Sequence, residues 1–407
     1  MSSASLDELL AKGDLDGLLR LIDDACAAGD WATVEQVAER SRPAVERGHQ
    51  LWPAADHAEH RLALQAPPAH SARAVGRDAT RFGIAPLAEV AASAHRWADL
   101  ADHLPAGPVR AIVAHERVAR GEDLSGVSLG TDPLGLPLRL AAWEPSCDGP
   151  AIGPYAVEDP VPPPGALEAT DLPEAGTPVA DPGTEALRNL VRTWTTESDG
   201  TSTAVCVRGT APEAVAALGP PGLRMRRLEP DEALGRMAWA AASGGAHGRR
   251  RGAARGRFEA WWCAATLAGL LGDTFDGPSG DDAPWPPDAD ELGDAVAELR
   301  WWLWDDGHVP RGWHLQLAVE DPADGRAWAL EAADRASAVA GRGPAAAQAR
   351  AWSASMSFGT TLWRSPTMPR SATPKMGASA SLLIAMMLAE PFIPTRCCVA
   401  PEMPQAR

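Results

Sequence analysis

RWWLWDDGHVPRGWHLQLAVE, residues 300–320, decides the fold of the second half of this chain. In its second run Trp313, Leu315, Leu317 and Val319 alternate with His314, Gln316, Ala318 and Glu320. A two-residue period belongs to a strand with one apolar face and one polar face. Residues 300–304 form a second strand-like run, and Asp305-Asp306-Gly307 supplies turn chemistry after it, so the two runs are expected to pair as a hairpin. Helical patterns flank the hairpin. Residues 288–299 open with an Asp-x-x-Glu box, and residues 324–338 are expected to be a helix that closes the domain.

Working toward the N-terminus, residues 184–194 read as helix, 203–207 as strand and 223–228 as a further strand. Thr210-Ala211-Pro212-Glu213 caps another helix, and helices are expected over 231–242 and 255–271. Residues 184–340 therefore predict an α/β domain with a small, about four-stranded mixed or antiparallel sheet. Residues 123–183 read as a connecting region. It carries a short strand through the Leu136, Leu138, Leu140 alternation, then Pro160, Pro162, Pro163 and Pro164 in a stiff polyproline-type linker.

The first 122 residues read as helix throughout. Ser5-Leu6-Asp7-Glu8 has capping-box spacing, and Gly13-Asp14 and Gly29-Asp30 punctuate two amphipathic stripes. Leu15, Leu18, Leu19, Ile22 and Cys26 form the first stripe; Trp31, Val34, Val37 and Ala38 form the second. Further helical patterns cover 51–64, 86–100 and 107–120, with Pro67-Pro68 and Gly83 as breaks. The expectation is an all-helical array, solenoid- or bundle-like, without tetratricopeptide, HEAT or ankyrin consensus. The whole chain is then α+β in class, with two domains, a size that fits 407 residues.

Composition limits function. A net charge of −17 opposes nucleic acid and anionic membranes. The first eight residues lack a basic and an apolar region, so no secretory signal is expected, and residues 260–272 are too short an apolar run to span a bilayer. Cys26, Cys147, Cys206 and Cys263 match no metal-ligand spacing and suit a reducing, cytoplasmic compartment. Lys12 and Lys375 are the only lysines, so the abundance of arginine reflects a GC-rich coding bias before any selection for function. Past residue 353 the composition breaks: six of the nine Met fall there, but only Glu390 and Glu402 of the 54 acidic residues. Residues 341–407 are expected to be a disordered tail or the product of a shifted reading frame.

One segment invites a binding role. Gly244-Gly245-Ala246-His247-Gly248-Arg249-Arg250-Arg251-Gly252 runs through Arg255 and Arg257 into the Trp261-Trp262 helix. Backbone amides at a helix start and guanidinium forks together hold phosphate or carboxylate. Arg249, Arg250, Arg251, Arg255 and Arg257 are thus the candidate ligand-binding residues. Walker A spacing and a Gly-x-Gly-x-x-Gly fingerprint are both missing, and the simpler reading is a solvated arginine turn. Trp261, Trp262, Trp301, Trp302, Trp304 and Trp313 could stack bases or sugars, but their spacing suits a helix–sheet core better. His57, Glu59 and His60 lack zinc-protease spacing and read as a surface helix. Asp305, Asp306, His308, His314, Glu320 and Asp321 crowd the hairpin as turn acids and a solvent-facing strand explain. No Gly-x-Ser-x-Gly elbow and no reactive cysteine context are present. No catalytic residue, metal or cofactor is assigned.

The Trp-rich hairpin and the Ala-Val-Glu-Asp-Pro-Ala-Asp-Gly turn at 318–325 resemble an uncharacterised protein family of high-GC bacteria, a domain of unknown function. The resemblance implies no activity. The expected function is a non-catalytic cytoplasmic protein-interaction or regulatory role with another protein as partner. The alternative is an anion- or phosphate-ligand-binding protein or enzyme using the 244–257 loop, and nucleic-acid binding ranks last.

Overall fold

The computed structural model describes residues 5–43, 50–76, 86–145, 162–248, 250–271, 285–308 and 312–335. Gly83, Cys147, Pro160, Arg249 and the expected tail lie outside them.

The first helices start and stop where their sequence directs. Ser5 Oγ accepts the Glu8 amide N–H at 3.3 Å to cap α1 (Leu6–Lys12). Asp14 and Asp30 accept the Gly17 and Thr33 amides at 2.8 and 3.1 Å, capping α2 (Leu15–Ala28) and α3 (Trp31–Ser41). Gly13 and Gly29, at φ 65° and 71°, end the helices that precede those caps. The stripes Leu18, Ile22, Ala25 and Val34, Val37, Ala38 pack with Ala54, Ala58 and Leu62 of α4 (Trp52–Gln65) in a cluster of their own. Pro67-Pro68, read as a break, instead begins α5 (Pro68–Val75), because a proline in the first helical turn gives up an amide that had no partner anyway. The pattern over 86–100 resolves into α6 (Leu87–Ala94) and α7 (Trp97–Leu100), parted at His95 and Arg96, where the backbone is extended. A 3-10 turn (Ala101–His103) leads to α8 (Pro108–Val118).

The expected strand at 136–140 is not formed. The segment is irregular, and Leu134 and Leu136 plug into the core at 1% and 3% exposure. The second half then runs β1 (Glu168–Ala169), β2 (Thr177–Pro178), α9 (Pro182–Leu190), α10 (Arg192–Thr196), β3 (Thr201–Arg208), α11 (Ala211–Leu218), β4 (Arg224–Leu228), α12 (Pro230–Ala242), α13 (Ala253–Leu267), α14 (Ala289–Glu298), β5 (Arg300–Asp305), β6 (Trp313–Asp321) and β7 (Arg326–Asp334). Thr210 and Glu213 form the capping box of α11, and Asp288 caps α14. The hairpin pairs as expected, from Arg300 opposite Glu320 to Leu303 opposite Leu317.

The sheet has seven strands, not about four, in the order β1-β4-β5-β6-β7-β3-β2, and every pair is antiparallel. Three strands account for the difference. Residues 326–334, expected to be helical, are β7: Trp328, Leu330 and Ala332 enter one core and Ala327 and Ala329 another. A strand covered on both faces need not alternate, and alanine-rich composition then imitates a helix. The same cover explains why Gln316 and Glu320, expected to face solvent, are 9% and 8% exposed. The other two strands are two-residue pairings from the supposed linker. Crossing a flat sheet of this order would take about 29 Å, and the eight steps from Ala169 to Thr177 reach about 28 Å when extended. Leu223 O accepts from Thr170 N at 2.9 Å and Glu213 O from Gly176 N at 3.3 Å on the way. One strap thus occupies both sheet edges, where a partner strand would otherwise add.

A single apolar cluster holds Val90, Ile112 and Leu134 together with Trp194, Trp261, Trp301, Trp313 and Trp328. The later helices of the first half therefore share a core with the helical layer on the sheet.

Candidate functional site

The arginine segment follows α12 and passes into α13, beneath α6 and α8. Gly252, at φ 94°, makes the turn, and a side chain there would run into Glu116 Oε1. The Ala254 amide at the start of α13 donates to that oxygen at 2.9 Å. Arg250 grips Glu89 of α6 with both forks, at 2.7 and 2.6 Å. Arg255 meets Glu259 one turn on at 2.6 Å, and Arg251 stands 3.9 Å from the same carboxylate. Arg257 holds Glu144 through Nε and Nη2 at 2.6 and 2.7 Å, and donates to Pro137 O and Arg139 O at 2.9 and 3.0 Å. Trp261 Nε1 donates to the same glutamate at 2.9 Å.

Arg250, Arg255 and Arg257 are 6%, 8% and 5% exposed, so the segment is no solvated turn. Guanidinium forks and a helix start do hold carboxylates here, and the carboxylates belong to the chain itself. Glu89, Glu116 and Glu144 had no sequence signal, since each lies more than a hundred residues from its partner in α13 or the loop before it. Glu116 is perturbed by this setting. Burial, then the charge of Glu89, pushes its carboxyl up to about 7 against the pull of Arg120 and the Ala254 amide.

The other expected candidates do not come together. His57 and His60 are not on a surface: they are 2% and 4% exposed on α4, beside Glu59, which Arg42 grips with two nitrogens. Burial holds His60 down at about 3 and lowers His57 as well. A histidine kept neutral in the fold but protonated in the open chain stabilises fully above the ordinary value near 6.5 and loses that contribution as pH falls. For His60 each unit below 6.5 is expected to cost about 1.4 kcal/mol, down to about 3, and His57 adds in the same direction. Urea titrations from neutral pH to about pH 5 check this. His60→Gln should flatten the acid limb, and an unchanged limb would count against it.

Around the hairpin, Asp305 takes a two-pronged bond from Arg224 at 2.7 Å. Glu320 accepts from Arg300 at 2.7 Å and from the Ala211 amide at 3.1 Å. His308 lies 3.0 Å from Asp306, Asp321 accepts turn amides, and His314 Nδ1 faces Gly312 O at 3.1 Å. These are structural bonds in separate places. Trp261, Trp301, Trp304 and Trp313 are each 1% exposed, Trp262 is 8%, and Trp302 is half-buried beneath Arg227. Burial pushes the Cys206 thiol up to about 12 and raises Cys263 as well, which removes both as nucleophiles.

Among the described residues, no three His, Cys, Asp or Glu side chains are placed to hold a metal, and no helix is long and apolar enough to cross a membrane. No curated protein and no solved structure matches the chain. A family profile does match, over residues 16–336, from the second helix to just past the last strand and short of the composition break. This chain is a member of that family, a family of unknown function (DUF6183).

Proposed function

We propose that this chain is a non-catalytic protein-interaction or regulatory protein of the cytoplasm, in which a solenoid- or bundle-like array of helices presents a surface and the sheet domain holds it. One observation carries the reading. Arg250 and Arg257 reach from the α13 region to Glu89 and Glu144 in buried, two-pronged pairs, so the arginine segment works as a clamp between the two halves. A clamp fixes the pose of a surface. Helices α1 to α3 and their caps expose Asp7, Glu8, Asp16, Asp24, Asp30 and Glu39 against Lys12, Arg20 and Arg40, an acidic excess that suits a protein partner of basic surface and, with a net charge of −17, disfavours nucleic acid and membranes.

A second reading keeps a small anionic ligand at the same segment. It is favoured by Arg251 and Arg255 converging on Glu259, at 3.9 and 2.6 Å, where the chain turns into α13. Thermal melts against inorganic phosphate, nucleotides and sugar phosphates separate the two. The first reading expects no shift beyond that of sodium chloride at equal ionic strength. A larger shift that Arg251→Ala with Arg255→Ala abolishes would replace it with the second. Affinity capture from the native host should meanwhile recover one protein reproducibly, in a complex that survives size-exclusion chromatography.

A further inference from the structure

Three successive prolyl carbonyls lead into β1, and two arginines hold them. Arg236 of α12 donates to Pro162 O at 3.2 Å and to Pro163 O at 2.5 Å, while Arg226 of β4 donates to Pro164 O at 2.5 Å. Glu232 sets both arginines in place: it accepts from Arg236 Nη2 at 2.8 Å and from both terminal nitrogens of Arg226, Nη1 at 2.9 Å. This Arg-Glu-Arg bracket meets the proline run through guanidinium N–H and main-chain carbonyl. Such bonds suit a polyproline backbone, which makes no internal hydrogen bonds and leaves its carbonyls open. After the run Gly165 turns at φ 72°, and Glu168 and Ala169 pair with Met225 and Arg224. Little apolar surface holds the segment down. Pro163, Pro164, Gly165, Ala166, Glu168 and Ala169 are exposed, and Leu167 packs against the core half-buried. Arg236 is 4% exposed with the run in place. Lifting the run off returns a guanidinium and three carbonyls to water, which replaces their bonds.

We propose that the bracket of Arg226, Glu232 and Arg236 is a docking site for a proline-rich segment of a partner protein, which displaces residues 162–169 and pairs with β4 in place of β1. The chain's own run shows the chemistry that the bracket accepts: consecutive carbonyls on a backbone that proline holds extended, then a glycine, then a short strand. A partner segment in that order makes the same bonds. It also has more to gain, because β4 is five residues long and β1 pairs with two of them. This rests on the interaction reading proposed above and names a second surface, apart from the acidic helices, together with the partner's chemistry.

A synthetic peptide of residues 162–170 is the probe, titrated by calorimetry into the full chain and into the full chain carrying Pro162→Gly, Pro163→Gly and Pro164→Gly. The glycines loosen the resident segment by freeing its open state, so the peptide should bind that variant about tenfold more tightly than the natural chain. A peptide with alanine for the three prolines should bind about tenfold more weakly than the proline peptide. Amide exchange over residues 224–228 should rise in the glycine variant and fall again when the peptide is added. Arg226→Met with Arg236→Met, added to the glycine variant, should abolish binding; should that chain not fold, Arg226→Met alone decides. No binding of millimolar peptide to the glycine variant, or binding that the methionines leave unchanged, overturns the site. Equal binding of the alanine peptide overturns the partner's chemistry, and dimers of the glycine variant that exclude the peptide would seat a second copy there instead. Affinity capture that recovers no protein would sink the interaction reading while leaving the peptide result standing, so the two failures are told apart.

Discussion

Arg257→Ala is expected to lower the free energy of unfolding by about 3–5 kcal/mol, the usual cost of leaving a buried charge without its partner. Both side chains of the pair are almost wholly enclosed, at 6% for Arg257 and 4% for Glu144. Loss of the arginine leaves Glu144 with the Trp261 indole and the Ala141 amide as donors and takes a donor from the carbonyls of Pro137 and Arg139. Glu144→Ala should cost a similar amount, since it leaves the guanidinium unpaired. The double replacement by methionine should recover much of the loss, because apolar contact can stand in for a buried pair when both charges go together. Urea unfolding of the two single variants and the double variant measures the coupling. A loss below about 1 kcal/mol in Arg257→Ala would mean that the pair behaves as an exposed one.

The same pair shows what the sequence could reveal and what it could not. Local chemistry was legible: Ser5, Asp14, Asp30, Thr210 and Asp288 cap helices because a side-chain oxygen within three residues of an amide needs no tertiary partner. The hairpin was legible because turn residues and alternation lie side by side. β7 was hidden because a strand buried on both faces loses its period, and β1 and β2 because two-residue pairings have none to show. At the candidate site the arginines stood out by their density. Their carboxylates did not, since Glu89, Glu116 and Glu144 are single acids on ordinary helical or loop patterns, and only the fold brings them to α13. The histidines of α4 misled for the same reason: a helix with polar residues all round reads as exposed unless its ion-pair partners are known.

Gly256→Ala should destabilise the protein although helix propensity alone argues the reverse. Inside an exposed helix, replacing glycine by alanine gains about 1 kcal/mol. Gly256 sits where α13 crosses α12, and a Cβ there would overlap the Ala238 carbonyl oxygen and stand 2.9 Å from the Ala242 Cβ. The obstacle is backbone, which cannot swing aside as a long side chain can, so the helices must separate. Overpacking of this kind costs about 1–3 kcal/mol, and the larger part of that range applies where a main chain has to move. Gly235, on α12, supplies the control: its Cβ would find nothing nearer than Pro145 at 3.7 Å, and Gly235→Ala should be neutral or stabilising. The two substitutions are chemically identical and should differ in sign in the same urea experiment. Equal effects would show that propensity, not the close approach of α12 and α13, governs this interface. Arg255 and Arg257 flank Gly256, so spreading the helices also pulls on Glu259 and Glu144, and Gly256→Ala combined with Arg257→Ala should cost less than the sum of the two.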